Sequence, residues 1–205
     1  MNVQETQDNL FRHLGPAVVF TIVTVIAFGI VYPTLMTLIA EAIFPAQAGG
    51  AYVYKNGAIV GSDIVGQLWT KPQYFHGRPS AAGSGYDPTS TGGTNLAPTS
   101  KKLIDSTRSA IAALRKENPD ATVTVPMDLV TSSASGIDPD ISPQAAYYQA
   151  PRVAKARGLT ANAVDEIVAA NIEPRELGFL GEPRVNVLAL NLALDSSQTG
   201  IKITK

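Results

Sequence analysis

His76 is the single histidine beyond position 13, so a serine hydrolase built on this chain has one side chain to serve as its base. Asp87, Asp128 or Asp138 would orient that imidazole, and Ser80, Ser84 or Ser135 would attack. None of these serines sits in G-x-S-x-G, and a lone loop histidine is more often a surface or hydrogen-bonded residue. No catalytic residue is expected. Asp138, Asp140 and Ser142 alternate like the opening of a calcium loop, but Pro143 stands where that loop needs glycine and Gln149 where it needs glutamate. Helix capping by Ser142 accounts for the segment better, and no metal site is expected. No phosphate-cradling G-x-x-x-x-G-K-[ST] loop occurs, and Gly83-Ser84-Gly85 runs into Tyr86-Asp87-Pro88 without the third glycine of a dinucleotide fingerprint. Arg152, Lys155 and Arg157 crowd one helical turn after Pro151; a solvated face is the plain reading, with an acidic partner or lipid headgroups as the alternative.

Composition narrows the field further. The 205 residues carry 16 Lys+Arg against 17 Asp+Glu, a net charge of −1, which lacks the basic footprint of a nucleic-acid binder. The absence of cysteine excludes disulfides, thiolate catalysis and Cys-ligated zinc or iron–sulfur sites, and two histidines exclude a His-rich metal site.

These residues must be held by elements that the pattern sets out in two parts. From His13 to Ala40 there is no Lys, Arg, Asp or Glu, and the run is long enough to cross a bilayer as one helix, assigned here to residues 14–44 after a short segment 1–13. Pro16 suits a first turn, whereas Pro33 lies inside and should kink the helix unless a neighbouring helix re-satisfies the freed carbonyl. A cleaved leader ending at Ala46-Gln47-Ala48 competes, but the apolar run is about twice a normal leader core and only Arg12 precedes it as a side-chain cation. Arg12 lies before the span and no further cation comes until Lys55, which favours a cytoplasmic N-terminus.

A linker at residues 45–50 leads into one domain, 51–205, with 15 basic and 15 acidic residues beyond position 40. Ala51-Tyr52-Val53-Tyr54 and Ala58-Ile59-Val60 flank Asn56-Gly57, the signature of a type I′ hairpin. Residues 62–98 are rich in Gly, Pro, Ser and Thr, yet hold Trp69, Tyr74, Phe75 and Tyr86, so a packed irregular segment is predicted. Thr99 or Ser100 should cap a helix with Leu103, Ile104, Thr107, Ile111 and Leu114 on one stripe, ending near Asn118-Pro119. Val123-Thr124-Val125 reads as a short strand. Ser142-Pro143 starts a helix that Gly158 stops and Pro151 kinks or splits, and Thr160 caps the next. Leu188, Leu190, Leu192 and Leu194 alternate, which favours a buried strand, with a helix as the live alternative. The class is α+β.

Several of these stretches resemble successive motifs of the KdpC family, the C subunit of the bacterial Kdp potassium-transporting ATPase. They are Gly61-Ser62-Asp63-Ile64-Val65-Gly66-Gln67, Tyr74-Phe75-His76-Gly77-Arg78-Pro79-Ser80-Ala81 and Gly92-Gly93-Thr94-Asn95-Leu96, then Pro126-Met127-Asp128-Leu129-Val130-Thr131 and Ser135-Gly136-Ile137-Asp138-Pro139. Ile141-Ser142-Pro143-Gln144-Ala145-Ala146, Arg152-Val153-Ala154-Lys155-Ala156-Arg157, Gly181-Glu182-Pro183-Arg184-Val185-Asn186-Val187 and Asn191-Leu192-Ala193-Leu194-Asp195 follow in family order. Asp140 stands where many members have histidine, Thr94 where serine is common and Ala97 where glycine is common.

The resemblance implies a non-catalytic subunit of an ATP-driven, high-affinity potassium importer in the bacterial inner membrane, with the soluble domain on the outer side. Its implied partners are a channel-like subunit, a P-type ATPase subunit, a small fourth subunit and membrane lipid. This chain lacks the D-K-T-G phosphorylation motif, in keeping with a supporting role. No directly bound cofactor is expected, with ATP, Mg and K acting at the level of the complex. The alternative is a helper that raises the ATP affinity of the catalytic subunit by touching nucleotide through Gly92, Gly93, Thr94, Asn95 and Gln144. A third possibility, an independent anchored hydrolase, predicts that His76→Ala abolishes an activity of the purified domain. Residues expected to make contacts are Pro33, Gly77, Arg78, Pro79, Ser80, Gly136, Asp138 and Arg152. Among them, Arg78 is the candidate for bidentate pairing with a carboxylate of a partner or of the chain itself, with loop-carbonyl bridging as its alternative role.

Overall fold

A computed structural model of the chain describes the backbone of residues 3–199 and 203–204 and the side chains of residues 11–197. Residues 1 and 2 of the N-terminal segment, and residues 200–202 and 205 of the expected 51–205 domain, lie outside the described residues. The chain divides into two compact units, Met1–Gly50 and Ala51–Lys205.

Among its described residues the first unit is mainly helical: α1 (Val3–Ile26), one π-helical turn (Ala27–Val31), α2 (Tyr32–Ile43) and the short α3 (Pro45–Ala48). Phe11–Ile43 is long and apolar enough to cross a membrane, and none of it is buried within the chain. A π-helical turn, rather than a sharp break, stands before Pro33. The Tyr32 N–H closes a wide turn on the Ala27 carbonyl, which places Pro33 in the first turn of α2, where a missing N–H costs little. Thr21, Thr24 and Thr37 donate their hydroxyls to the Ala17, Phe20 and Pro33 carbonyls, so these side chains carry no free donor into an apolar surrounding.

The second unit is α+β, and its described residues form two small antiparallel sheets, four α-helices and one 3-10 turn (Met127–Leu129). β1 (Tyr52–Lys55) and β2 (Ala58–Ser62) form the expected hairpin, and Asn56 and Gly57 take the positive φ that a type I′ turn requires. β6 (Ile203–Thr204) pairs with the other edge of β1, giving the order β2-β1-β6. The second sheet has the order β3-β5-β4, from β3 (Asp140–Ile141), β4 (Ile172–Glu173) and β5 (Arg184–Asn186). Strands of two or three residues leave no readable alternation, which is why the sequence did not announce them.

α4 (Lys101–Glu117) starts where expected, with Ser100 at its N-cap, although that hydroxyl makes no capping bond. α5 (Pro143–Arg157) and α6 (Ala161–Ala170) are capped by Ser142 and Thr160, whose hydroxyls accept from the Ala145 and Ala163 N–H groups at 3.1 and 3.2 Å. Pro151 does not split α5: burial of Ala146, Ala150, Val153 and Ala154 around it outweighs one lost backbone bond.

One expected strand is missing, and the segment left open between strand and helix takes the second form. Val123-Thr124-Val125 is not a strand; among the described residues no strand pairs with it, Val123 is bent and exposed, and β propensity without a partner does not fix a conformation. The leucine alternation near the C-terminus is a helix, α7 (Val187–Thr199), and the pattern misleads because this helix is buried on two sides. Val187, Leu190 and Leu194 enter the main core with Phe75, Tyr148, Val164 and Val168, while Leu188 and Leu192 meet Val53 in a smaller one. Trp69 packs against both clusters.

Candidate functional site

The irregular segment 62–98 bears most of the candidate residues, and buried polar side chains of α5 and α7 hold it. Asn191 accepts from the Phe75 N–H at 2.8 Å and donates to the Phe75 carbonyl at 3.0 Å. Gln149 repeats the pattern on His76, at 2.8 and 3.1 Å. Both amides are fully buried, and they grip two successive residues as a neighbouring strand would. Arg152 donates to the Pro72 and Tyr74 carbonyls, to Asn118 Oδ1 and to Gln149 Oε1, at 2.5 to 3.0 Å. Arg157 donates to the Gln73 carbonyl and to Asp195, and its guanidinium lies 4.9 Å from the centre of the Tyr74 ring. The solvated face expected of Arg152, Lys155 and Arg157 is therefore confined to Lys155, which pairs with Asp120 at 3.3 Å in the open. The two arginines turn inward because Pro72, Gln73 and Tyr74, outside any helix or strand, leave carbonyls that need donors.

Around Arg78 the structure brings five expected residues together. Arg78 Nη1 donates to Asp138 Oδ2 at 2.9 Å, and Nη2 approaches the Ser132 carbonyl at 3.5 Å. Its Nε is buried without a hydrogen-bond partner among the described residues. Ser80 donates to the Gly136 carbonyl at 2.6 Å and accepts from the Tyr86 N–H at 2.8 Å, while the Tyr86 hydroxyl donates to the Arg78 carbonyl at 2.6 Å. Tyr86 covers Gly77 so closely that a Cβ there would collide with its hydroxyl. Gly136 has φ +71°, and a Cβ on it would lie 2.6 Å from the Gly92 carbonyl. Burial, then the Asp138 charge, pushes the Tyr86 phenol up to about 12, against the pull of Arg78, so it stays a hydrogen-bond donor.

The remaining candidates are dispersed. Gly92 donates to the Ser135 carbonyl at 2.8 Å, but Thr94 and Asn95 are exposed, and Pro79 points outward. Gln144 lies on the wall of a groove of about 810 Å³ with Arg78, Val125, Met127, Asp128 and Tyr147, and the Gly92–Asn95 loop does not line it. A smaller hollow of about 290 Å³ shares Arg78 and Asp128 and adds Asp138, Asp140, Glu182 and Arg184. There burial and the Asp138 charge, opposed by Arg184, push the Asp140 carboxyl up to about 6.

Among the described residues no hydrolytic constellation is assembled. His76 faces the Lys71 carbonyl at 3.1 Å and Glu117 at 3.1 Å, and Ser80 is spent on Gly136. Burial, then the Arg152 charge, lowers the His76 pKa against the Lys71 carbonyl and Glu117. Among the described residues, no three His, Asp or Glu side chains are grouped to hold a metal ion. The arrangement fixes loops and presents surfaces. Gln149, Asn191, Asn118 and Asp195 are the organising residues that sequence reasoning did not single out. An asparagine among leucines, as in Leu190-Asn191-Leu192, was the one available signal.

Residues 14–196 match the protein family described as KdpC: K+-transporting ATPase, c chain. The potassium-transporting ATPase KdpC subunit of Acidobacterium capsulatum is 54% identical over 184 residues, covering 90% of this chain and 98% of that protein. The protein of the same name from Bradyrhizobium diazoefficiens is 50% identical over 198 residues, with 91% and 98% covered. That of Caulobacter vibrioides is 48% identical over 188 residues, with 91% and 94% covered.

Proposed function

The chain belongs to the KdpC family, and from that premise we propose that it is the non-catalytic accessory subunit of a Kdp potassium-transporting ATPase complex, anchored by one helix and acting from the outer side of the membrane. It stabilises the assembly of a channel-like subunit with a P-type ATPase subunit and a small fourth subunit, and it modulates transport. The match over residues 14–196 carries the reading. Two structural features support a scaffolding role. The apolar helix has no burial of its own, and so needs lipid or other helices around it; the domain spends its polar side chains on holding loops rather than on a reactive centre. ATP, Mg and K act on the complex as a whole. The alternative is direct nucleotide contact through Gln144 or the Gly92–Asn95 loop; Gln144 lines a groove that does not include that loop, so the two would make separate contacts.

The test is a detergent pull-down of the tagged chain from its native membrane, with potassium-stimulated ATPase activity assayed on the eluate. Larger partners with that activity are the expected result, and an isolated chain under gentle solubilisation would overturn the reading. In the same assay Arg78→Lys, which keeps the charge but loses the planar fork facing Asp138 and Ser132, should lower complex yield or transport at limiting potassium several-fold. Unchanged behaviour in both would remove Arg78 from the assembly surface.

A further inference from the structure

Between β4 and β5 the chain carries large apolar side chains away from the fold. Glu176 and Leu180 exchange backbone hydrogen bonds, at 3.0 Å from the Glu176 N–H and 2.9 Å in return, and this closes a tip of Leu177, Gly178 and Phe179. Leu177 and Gly178 both take positive φ, +52° and +82°. That conformation suits glycine or asparagine, and leucine adopts it only at a cost. Leu177 is 82% exposed, Phe179 68% and Leu180 49%, so no packing within the chain repays the strain. The tip is nevertheless braced. Arg175 pairs with Glu182 at 2.5 Å across its base, and Arg184 reaches Glu173 at 2.8 Å and Glu176 at 3.0 Å. The collar at the base of the tip thus has three glutamates and two guanidiniums, a net charge of −1, and Arg184 also meets Asp140 of β3 at 3.3 Å.

We propose that Leu177–Leu180 is an apolar plug that seats in a pocket of another protein subunit, one with apolar walls and a basic rim. This rests on the reading of the chain as a subunit of a larger complex. Two observations favour such a partner over a bilayer. The collar is net acidic, with Glu176 and Glu182 its most exposed charges, so an anionic lipid surface repels it and a basic rim attracts it. The knob is also pre-ordered by a closed turn and two ion-pair braces, so it loses little freedom on entering a shaped pocket, whereas lipid demands no shape. An apolar centre ringed by charge is the arrangement in which a few side chains carry most of the binding energy.

The experiment places a photoreactive benzoylphenylalanine at Phe179 of the full-length chain and irradiates native membranes. The expected product is a cross-link to one of the larger proteins that the tagged chain brings down. A cross-link to lipid alone, a cross-link to a second copy alone, or no product overturns the plug. In parallel, Leu177→Asn with Phe179→Ser should lower recovery of that protein by about tenfold in stringent detergent. The melting temperature of the full chain should hold or rise, because asparagine accepts the positive φ. Unchanged recovery overturns the proposal. Should that variant melt early, Glu182→Lys, which reverses an exposed collar charge, replaces it: recovery should again fall, and more steeply at low salt. An unsubstituted chain that recovers no partner refutes complex membership, and the plug falls with it. Recovery of partners without a cross-link from position 179 refutes the plug alone.

Discussion

Asp195 shows what a single carboxylate can hold in this fold. It takes Lys55 Nζ at 3.0 Å from the hairpin and Arg157 Nη2 at 2.9 Å from α5, and the Arg157 side chain is 5% exposed. Burial pushes Asp195 up, but the hydrogen bonds from Lys55 and Arg157 outweigh it and keep the carboxyl below its usual range. The ion pairs therefore stabilise the fold at neutral pH and are lost as pH falls through that depressed value. Asp195→Ala leaves a buried guanidinium without its carboxylate and should cost about 2–3 kcal/mol, measured by urea unfolding of the full chain in detergent micelles at pH 7. The gap to the unsubstituted chain should shrink below pH 4. Asp140 has the opposite sign. With its carboxyl raised to about 6 by burial and Asp138, the folded chain keeps a proton that the unfolded chain releases, so stability falls as pH rises from about 4 to 6. Asp140→Asn removes that penalty while Arg184 keeps Glu173 and Glu176. It should be more stable at pH 8 by about 1 kcal/mol after solvent screening, with no gain at pH 4. A gain that did not vary with pH would show that the carboxylate charge is not the cause.

At the scale of elements, α7 does two jobs that one sequence pattern cannot express together. Its leucines divide between two cores, which fills alternate positions and imitates a strand, while Asn191 in their midst holds the backbone of Phe75. Elements with local signals were legible: the Asn56-Gly57 turn, the Ser142 and Thr160 caps and the apolar run before residue 44 each depend on neighbours in sequence. The meeting of Arg78 with Asp138 was half legible, because the planar guanidinium announced a carboxylate without saying which. The grip of Gln149 and Asn191 on residues 75 and 76 was not, since its partners lie 73 and 116 positions apart and use side chains as backbone substitutes. Asn191→Leu keeps the volume but strands a buried N–H and carbonyl of Phe75. It should cost about 2–4 kcal/mol and expose the 62–98 segment to limited proteolysis before the rest of the domain unfolds. Equal loss of stability with unchanged cleavage would mean that other contacts hold the segment.

Over the whole molecule, two apolar helical stretches meet opposite fates, and the contrast says what each needs. α7 is covered by its own domain, whereas Phe11–Ile43 has no buried residue and must be covered from outside the chain. A bilayer would supply that cover, and the distribution of cations then predicts a direction of crossing. Arg12 precedes the run, and no Lys or Arg follows until Lys55, which is the basis of the proposed topology with a cytoplasmic N-terminus and the Ala51–Lys205 unit outside. Because the chain has no cysteine, any introduced thiol is its only one. Thr99→Cys, on an exposed loop of the domain, should react with a membrane-impermeant maleimide added to intact spheroplasts. Gln7→Cys, before the apolar run, should react only after lysis. The reverse pattern would place the domain on the side where ATP is found, which an outer domain does not reach, and would make Gln144 on the wall of the 810 Å³ groove the first residue to substitute.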